Sequence, residues 1–262
     1  MRPQEPFGNV RAVFFDLDDT LCAYWNAAKA GLRAAFEAHP VPGYELEDAL
    51  KVWAGEFRRY AEELKTSHWY EIYLTEGATT RAEMMRQALA AMGVDDPDHA
   101  WQLSETYGRE RDSRLVLFPE SRNVLRALSG VFHLGLITNG PADIQRQEIA
   151  TLNIGSYFDT VLIEGEMGLG KPHQAVFAKA EAESHAKGEE VLFVGNSYAH
   201  DIAPAIRAGW KTIWVRRESD VPPSADKPRR EEMPEGAPSP DAILETLEQL
   251  PEILGVCSLE SV

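Results

Sequence analysis

The sequence predicts an α/β fold: a Rossmann-like, doubly wound parallel sheet with an all-helical domain inserted after its first strand. Two observations carry this. Downstream of residue 116, short apolar runs alternate with helical stretches, which implies right-handed βαβ units with helices on both sheet faces. Between them and the first apolar run, residues 23–115 are rich in Ala, Glu, Arg and Leu and hold no strand-like run. The expected division is therefore a core of residues 1–22 and 116–262 and a helical domain of residues 23–115.

The elements follow in order. VRAVFF at 10–15 reads as a buried strand that stops at an acidic cluster. Helices are expected near 24–38, 45–65, 80–92 and 98–112, the third opening at Thr80 with Glu83 at capping-box spacing. Beyond Phe118-Pro119 come a helix at 120–129, a strand at 132–138, a helix at 141–152 and a strand at 160–163. A helix at 172–187, a strand at 191–194, a helix at 200–208 and a strand at 212–215 complete the alternation. Residues 218–240, rich in Pro and charge, read as a surface loop, and 241–254 as a closing helix.

Composition narrows the function classes. The 262 residues include 26 Lys and Arg against 42 Asp and Glu, a net charge of 26 − 42 = −16. That balance argues against nucleic-acid or anionic-membrane partners, which are gripped by clustered cations. It leaves room for a small anionic substrate. No apolar run is long enough to span a bilayer, and no signal-peptide core follows Met1. The two cysteines, Cys22 and Cys257, form no metal-binding or disulfide pattern, so a cytoplasmic setting is expected.

Four polar clusters stand at the ends of expected strands or before a helix: Asp16-Leu17-Asp18-Asp19-Thr20, Thr138-Asn139-Gly140, Lys171-Pro172, and Gly195-Asn196-Ser197 with Asp201. In a parallel sheet such ends gather on one edge. Any one cluster alone is compatible with turn and capping chemistry. Together they compose a phosphoryl-transfer site: two carboxylates as nucleophile and acid/base, hydroxyl and backbone donors for phosphoryl oxygens, a lysine against the developing charge, and oxygen ligands for a hard cation.

FFDLDDTL (14–21), LITNG (136–140), GLGKPHQAVF (168–177) and VGNSYAHD (194–201) occur in the order of the haloacid dehalogenase superfamily motifs, and the whole chain resembles that family. The helical insertion resembles its cap domain of the first type. The resemblance implies a Mg²⁺-dependent phosphatase acting on a small phosphorylated metabolite through an aspartyl-phosphate, as a monomer or homodimer. It makes Asp16 the nucleophile and Asp18 the acid/base. Thr138, Asn139 and Gly140 would bind the phosphoryl group and Lys171 would anchor it. Asp16, Asp18 through its carbonyl, Asn196 and Asp201 would surround the metal.

Asn196 departs from the pattern, because the family usually has an acid there. Its amide oxygen still coordinates but brings no charge, so the expectation is an active enzyme with weakened metal affinity, Asp201 supplying the missing charge. Dehalogenating relatives lack an acid at the position of Asp18, which favours a phosphatase. The alternatives are a dehalogenase-type hydrolase and a catalytically weakened member that binds a phospho-ligand. A receiver-like phospho-acceptor module would be about half this length and have no insertion.

Gly165 to Lys171 fits the start of a P-loop, but Pro172 replaces the required hydroxyl and Glu164 and Glu166 would repel phosphate. His200 and Cys22 are expected to be a surface and a buried residue respectively, with Ser197 in a supporting position. Tyr24, Trp25, Trp69, Tyr70 and Tyr73 are candidates for either bundle core or substrate face, and Arg58 and Arg59 for a solvated face.

Overall fold

Residues 12–15 are uniformly apolar and fully buried, the signature of a strand covered on both faces. In the computed structural model, which describes residues 7–225 and 231–256, they form β1 (Ala12–Phe15) at the middle of a six-stranded sheet. Five helices follow: α1 (Tyr24–Ala38), α2 (Leu46–Leu64), α3 (Trp69–Thr75), α4 (Gly77–Ala91) and α5 (Pro97–Arg114). The alternation then runs through α6 (Ser121–Leu128), β2 (His133–Thr138), α7 (Ala142–Leu152), β3 (Thr160–Ile163), α8 (Glu164–Met167), α9 (Gln174–Ser184) and β4 (Val191–Gly195). A π-helical turn (Tyr198–Ile202) leads into α10 (Ala203–Arg207), then β5 (Lys211–Val215), β6 (Ala242–Leu244) and α11 (Leu250–Ile253).

The strand order is β3-β2-β1-β4-β5-β6, every pair parallel. The chain leaves β1 in one direction for β2 and β3, and in the other for β4 to β6. The order therefore reverses at β1, and the crevice beyond the carboxyl ends of β1 and β4 is where such sheets bind ligands. The Rossmann-like α/β class expected from sequence is the observed one.

Alternate residues supply the two faces. Val13, Phe15, Leu192 and Val194 join one apolar cluster, and Ala12, Phe14, Val191 and Phe193 the other. A further cluster, including Leu32, Phe36, Trp53, Met85, Leu89 and Leu103, lies wholly within the helical segment. That segment meets the sheet through α3 and α8: a Cβ on Gly165 would overlap the carbonyl oxygen of Leu74 and the amide of Ala142. Only glycine allows this approach.

Several expectations need correction. The closing helix at 241–254 is instead β6 and the short α11, because residues 242–244 pair with β5. Thr80 does not cap a helix; α4 begins at Gly77, and the Thr80 hydroxyl donates to the Gly77 carbonyl at 3.0 Å. α3 was not anticipated. The helix expected at 172–187 starts only at Gln174, after a cis Lys171–Pro172 bond. The loop at 218–240 is not purely superficial, since Ser224 is buried. Cys257 lies outside the described residues. Among those residues no helix is long and apolar enough to cross a membrane.

Candidate active site

β1 ends by donating the Asp16 amide to the Val194 carbonyl at 3.0 Å, which ties the first cluster to the fourth. The Asp16 carboxylate then lies 2.7 Å from Lys171 Nζ through Oδ1. Lys171 is 2% exposed and reaches Asp201 Oδ1 at 2.6 Å on its other side. Burial lowers the pKa of the Lys171 ammonium, but Asp16 and Asp201 together outweigh it and raise the pKa. Asp16 is pushed up to about 6 by burial, against the pull of Lys171.

Asp18 is half-buried, at the edge of the same cluster. Burial, and next the charge of Asp16, push its carboxyl to about 7. Its Oδ2 is 3.4 Å from Gln145 Nε2, whose Oε1 accepts the Thr138 hydroxyl at 2.6 Å. Gln145 also donates to Glu148 at 2.9 Å, and Glu148 faces Arg111 of α5 at 3.5 Å. A chain of polar contacts thus runs from Asp18 into the helical segment.

Asn139 clamps the backbone of Lys171: its Oδ1 accepts the Lys171 amide at 2.8 Å and its Nδ2 donates to the Lys171 carbonyl at 2.7 Å. The Gly140 amide donates to Glu164 at 3.1 Å. Glu164, 2% exposed, also takes Lys65 at 2.9 Å and the Tyr70 hydroxyl at 2.8 Å, both from the helical segment.

On the opposite side of Asp16, the Thr20 hydroxyl lies 3.2 Å from Asp16 Oδ2 and 3.2 Å from Asn196 Oδ1. One hydroxyl carries one proton, so two acceptor oxygens converge on a single donor. That surplus of oxygen acceptors beside a carboxylate suits a hard cation. Asn196 Nδ2 donates to Asp220 at 2.9 Å, which turns the amide oxygen inward. The acceptors gathered there are a carboxylate oxygen of Asp16 and the neutral amide oxygen of Asn196. The residues fit a magnesium-like ion.

Asp201 is buried at the end of the fourth cluster. Its oxygens accept from Lys171 and from the Ser197 amide at 2.9 Å, and the acid touching Asn196 is Asp220. The loop that supplies Asp220 folds back over the fourth cluster, where Glu231 accepts the amides of Tyr198 and Ala199 at 2.8 and 3.0 Å. Cys22 is buried and its thiol pKa is raised by burial, as expected of an inert cysteine.

A cavity of about 420 Å³ connects this edge to the helices. Asp18, Asn139, Gly140 and Gln145 line its floor; Tyr24, Trp25, Tyr73, Tyr107, Arg81 and Arg111 are among its helical walls. Three of the five candidate aromatics, Tyr24, Trp25 and Tyr73, therefore face it, while Tyr70 holds Glu164. His200 is exposed and also borders the cavity. Arg59 is a surface residue paired with Glu56, whereas Arg58 reaches the Ser224 carbonyl. Gln145, Glu148 and Asp220 were missed by the sequence reading, each at a helix or loop position with no motif around it, whereas Thr20 stood in the first cluster and Glu164 beside the third with no site role assigned.

Residues 10–209 match the haloacid dehalogenase-like hydrolase family. The chain belongs to that family. It is 32% identical to the phosphoserine phosphatase of Thermus thermophilus over 72% of its own length and 65% of that protein's. Other curated relatives, also named as phosphatases, are covered over 94% of their length. The chain is accordingly a hydrolase of that family, and the curated relatives named here are phosphatases. Among solved structures, the HAD-hydrolase YfnB from Bacillus subtilis, bound to magnesium, superposes with a TM-score of 0.69 at 22% identity, covering 94% of this chain and 99% of that one. The L-2-haloacid dehalogenase of Xanthobacter autotrophicus gives 0.68 at 22% identity, covering 94% and 98%. At such identities the structures speak to the fold.

Proposed function

We propose that this hydrolase is a Mg²⁺-dependent phosphatase that cleaves a small-molecule phosphate monoester through an aspartyl-phosphate on Asp16. The observation that carries the reading is the convergence of Asp16, Asp18, Thr138 and Lys171 on one sheet edge, with Lys171 2.7 Å from Asp16 and Gln145 between Thr138 and Asp18. Asp16 attacks phosphorus while Asp18, whose raised pKa lets it carry a proton near neutrality, protonates the departing alcohol oxygen. Asp18 then takes a proton from the water that hydrolyses the aspartyl-phosphate. The Thr138 hydroxyl, the backbone that follows it and Lys171 hold the phosphoryl oxygens, and Asn139 fixes the lysine's backbone.

Asp16, the Asp18 carbonyl and Asn196 would hold Mg²⁺, with Asp201 acting through Lys171. When bound, the ion neutralises charge on the nucleophile and the phosphoryl group. Residues 23–115 serve as a cap, joined to the core through Glu164, that excludes water from the transfer. A dehalogenase reading has no use for the acid at Asp18.

The test is release of p-nitrophenol from p-nitrophenyl phosphate with and without Mg²⁺, beside an Asp16→Asn variant. Metal-dependent release that is lost in the variant is expected. Absence of turnover at saturating Mg²⁺ rejects the reading and leaves a phospho-ligand binding protein.

A further inference from the structure

The helical wall of the cavity holds a charge that the phosphoryl-transfer chemistry leaves unused. Three cations border it. Lys65 is paired with Glu164 at 2.9 Å, and Arg111 with Asp112 at 2.6 Å and Glu148 at 3.5 Å. Arg81 of α4 has no carboxylate partner among the described residues. Its Nε donates to Ser104 Oγ at 3.1 Å, and its guanidinium lies 5.8 Å from the centre of the Tyr107 ring. A charged fork held at its stem, with its terminal nitrogens not paired to an acid, is a poor arrangement for stability alone, since desolvating a charge is costly. Burial, and then the neighbouring Arg111, lower its pKa against the weaker opposing effects of Tyr107 and Asp112.

The seat is also shaped for it. Gly108 of α5 faces the guanidinium, and a Cβ there would stand 2.6 Å from Arg81 Nη2 and 2.9 Å from Cζ. Glycine in the middle of an 18-residue helix is unfavourable relative to alanine, and here it leaves space for the fork. Tyr107 and Tyr24 line the same cavity as the Arg81 and Arg111 head groups, giving a largely aromatic wall with a single unneutralised positive charge.

We propose that Arg81 is the anchor of a second binding subsite, specific for a carboxylate on the part of the substrate that does not react. This rests on the phosphatase reading and names its substrate class: small phosphate monoesters of carboxylic acids. A guanidinium fork matches a carboxylate in shape and in charge. One monoanion balances one uncompensated cation. A second phosphate would bring surplus negative charge into a cavity that already contains Asp18 and Glu164. The volume of about 420 Å³ is at the small end for ligand pockets, which restricts the substrate to a compact acid.

The experiment compares kcat/KM for 2-phosphoglycolate, 3-phosphoglycerate and 6-phosphogluconate with partners of equal carbon number ending in a hydroxymethyl group, such as glycerol 3-phosphate and sorbitol 6-phosphate. Fructose 1,6-bisphosphate is the arm for a second phosphate. At least one acid should exceed its partner by about 100-fold, the range expected of a charge-assisted bidentate contact. Arg81→Met and Gly108→Ala should each reduce that ratio about tenfold or more, the first by removing the fork and the second by displacing it. Gly108→Ala favours the helix, so a loss of selectivity there is not a loss of folding. No preference for acids, or a preference unchanged in both variants, overturns the subsite while leaving the phosphatase standing. A variant-sensitive preference for the bisphosphate overturns the carboxylate assignment. Hydrolysis of none of these esters overturns the subsite, while the phosphatase reading stands or falls separately on p-nitrophenyl phosphate.

Discussion

Lys171 at the sheet edge lies 2.7 and 2.6 Å from two carboxylates, whereas Arg81 on the helical wall of the cavity is paired with none among the described residues. The first cation is locked by partners that come from the ends of two different strands of the core. The second is held at its stem and left with an open fork. The contrast separates two tasks. Groups that must be ready for the same reaction on every substrate are fixed by one another, while a group that discriminates between substrates waits for its partner to come from outside.

Predictions follow from breaking each side of that contrast. Asp16→Asn removes the nucleophile and should lower kcat by about 10⁴-fold or more, with the fold retained by circular dichroism. Asp18→Asn should lower it by about 10²–10⁴-fold, and less for esters with acidic alcohols, which need little protonation; a series of aryl phosphates reads that slope. Glu164→Ala deprives Lys65, Tyr70 and the Gly140 amide of their shared acceptor and should destabilise the protein by about 1–3 kcal/mol in urea unfolding. Asn196→Asp should tighten Mg²⁺ by about tenfold in titration calorimetry, since ligand charge tunes affinity at oxygen sites. Asp220→Ala should weaken it, because the amide loses the acceptor that turns its oxygen inward. Arg59→Ala, on the exposed face beside Glu56 and Glu63, should change stability by no more than about 0.5 kcal/mol.

The two sides also differed in how far the sequence revealed them. β1 to β5 were legible because strands buried on both faces read as unbroken apolar runs, and Asp16, Asp18, Thr138 and Lys171 because they interrupt or follow those runs. β6 was not: Ala242-Ile243-Leu244 lies in an acidic stretch with helical spacing, and only pairing with Ile213 to Val215 makes it a strand. Asp220 sits in a Pro-rich loop whose path back to Asn196 has no local signal. Gln145, Glu148 and Arg81 are interior residues of helices, where local sequence specifies amphipathic spacing but not which neighbour arrives across the gap. The contact of Asp201 with Lys171 has no signal in the sequence, because it depends on how two loops meet beyond the sheet edge. Thr80 and Glu83 had the spacing of a cap, but α4 had already begun at Gly77.

The central claim is that Asp16 carries the phosphoryl group during turnover. The direct measurement is mass spectrometry of the Asp18→Asn variant, quenched in acid after brief exposure to substrate and Mg²⁺. Slowed hydrolysis should let the intermediate accumulate, adding the mass of one phosphoryl group to the peptide containing Asp16 and losing it on treatment with hydroxylamine. Phosphorylation at another residue, or substrate turnover in the wild type with no labelled peptide under any quench condition, would contradict the account.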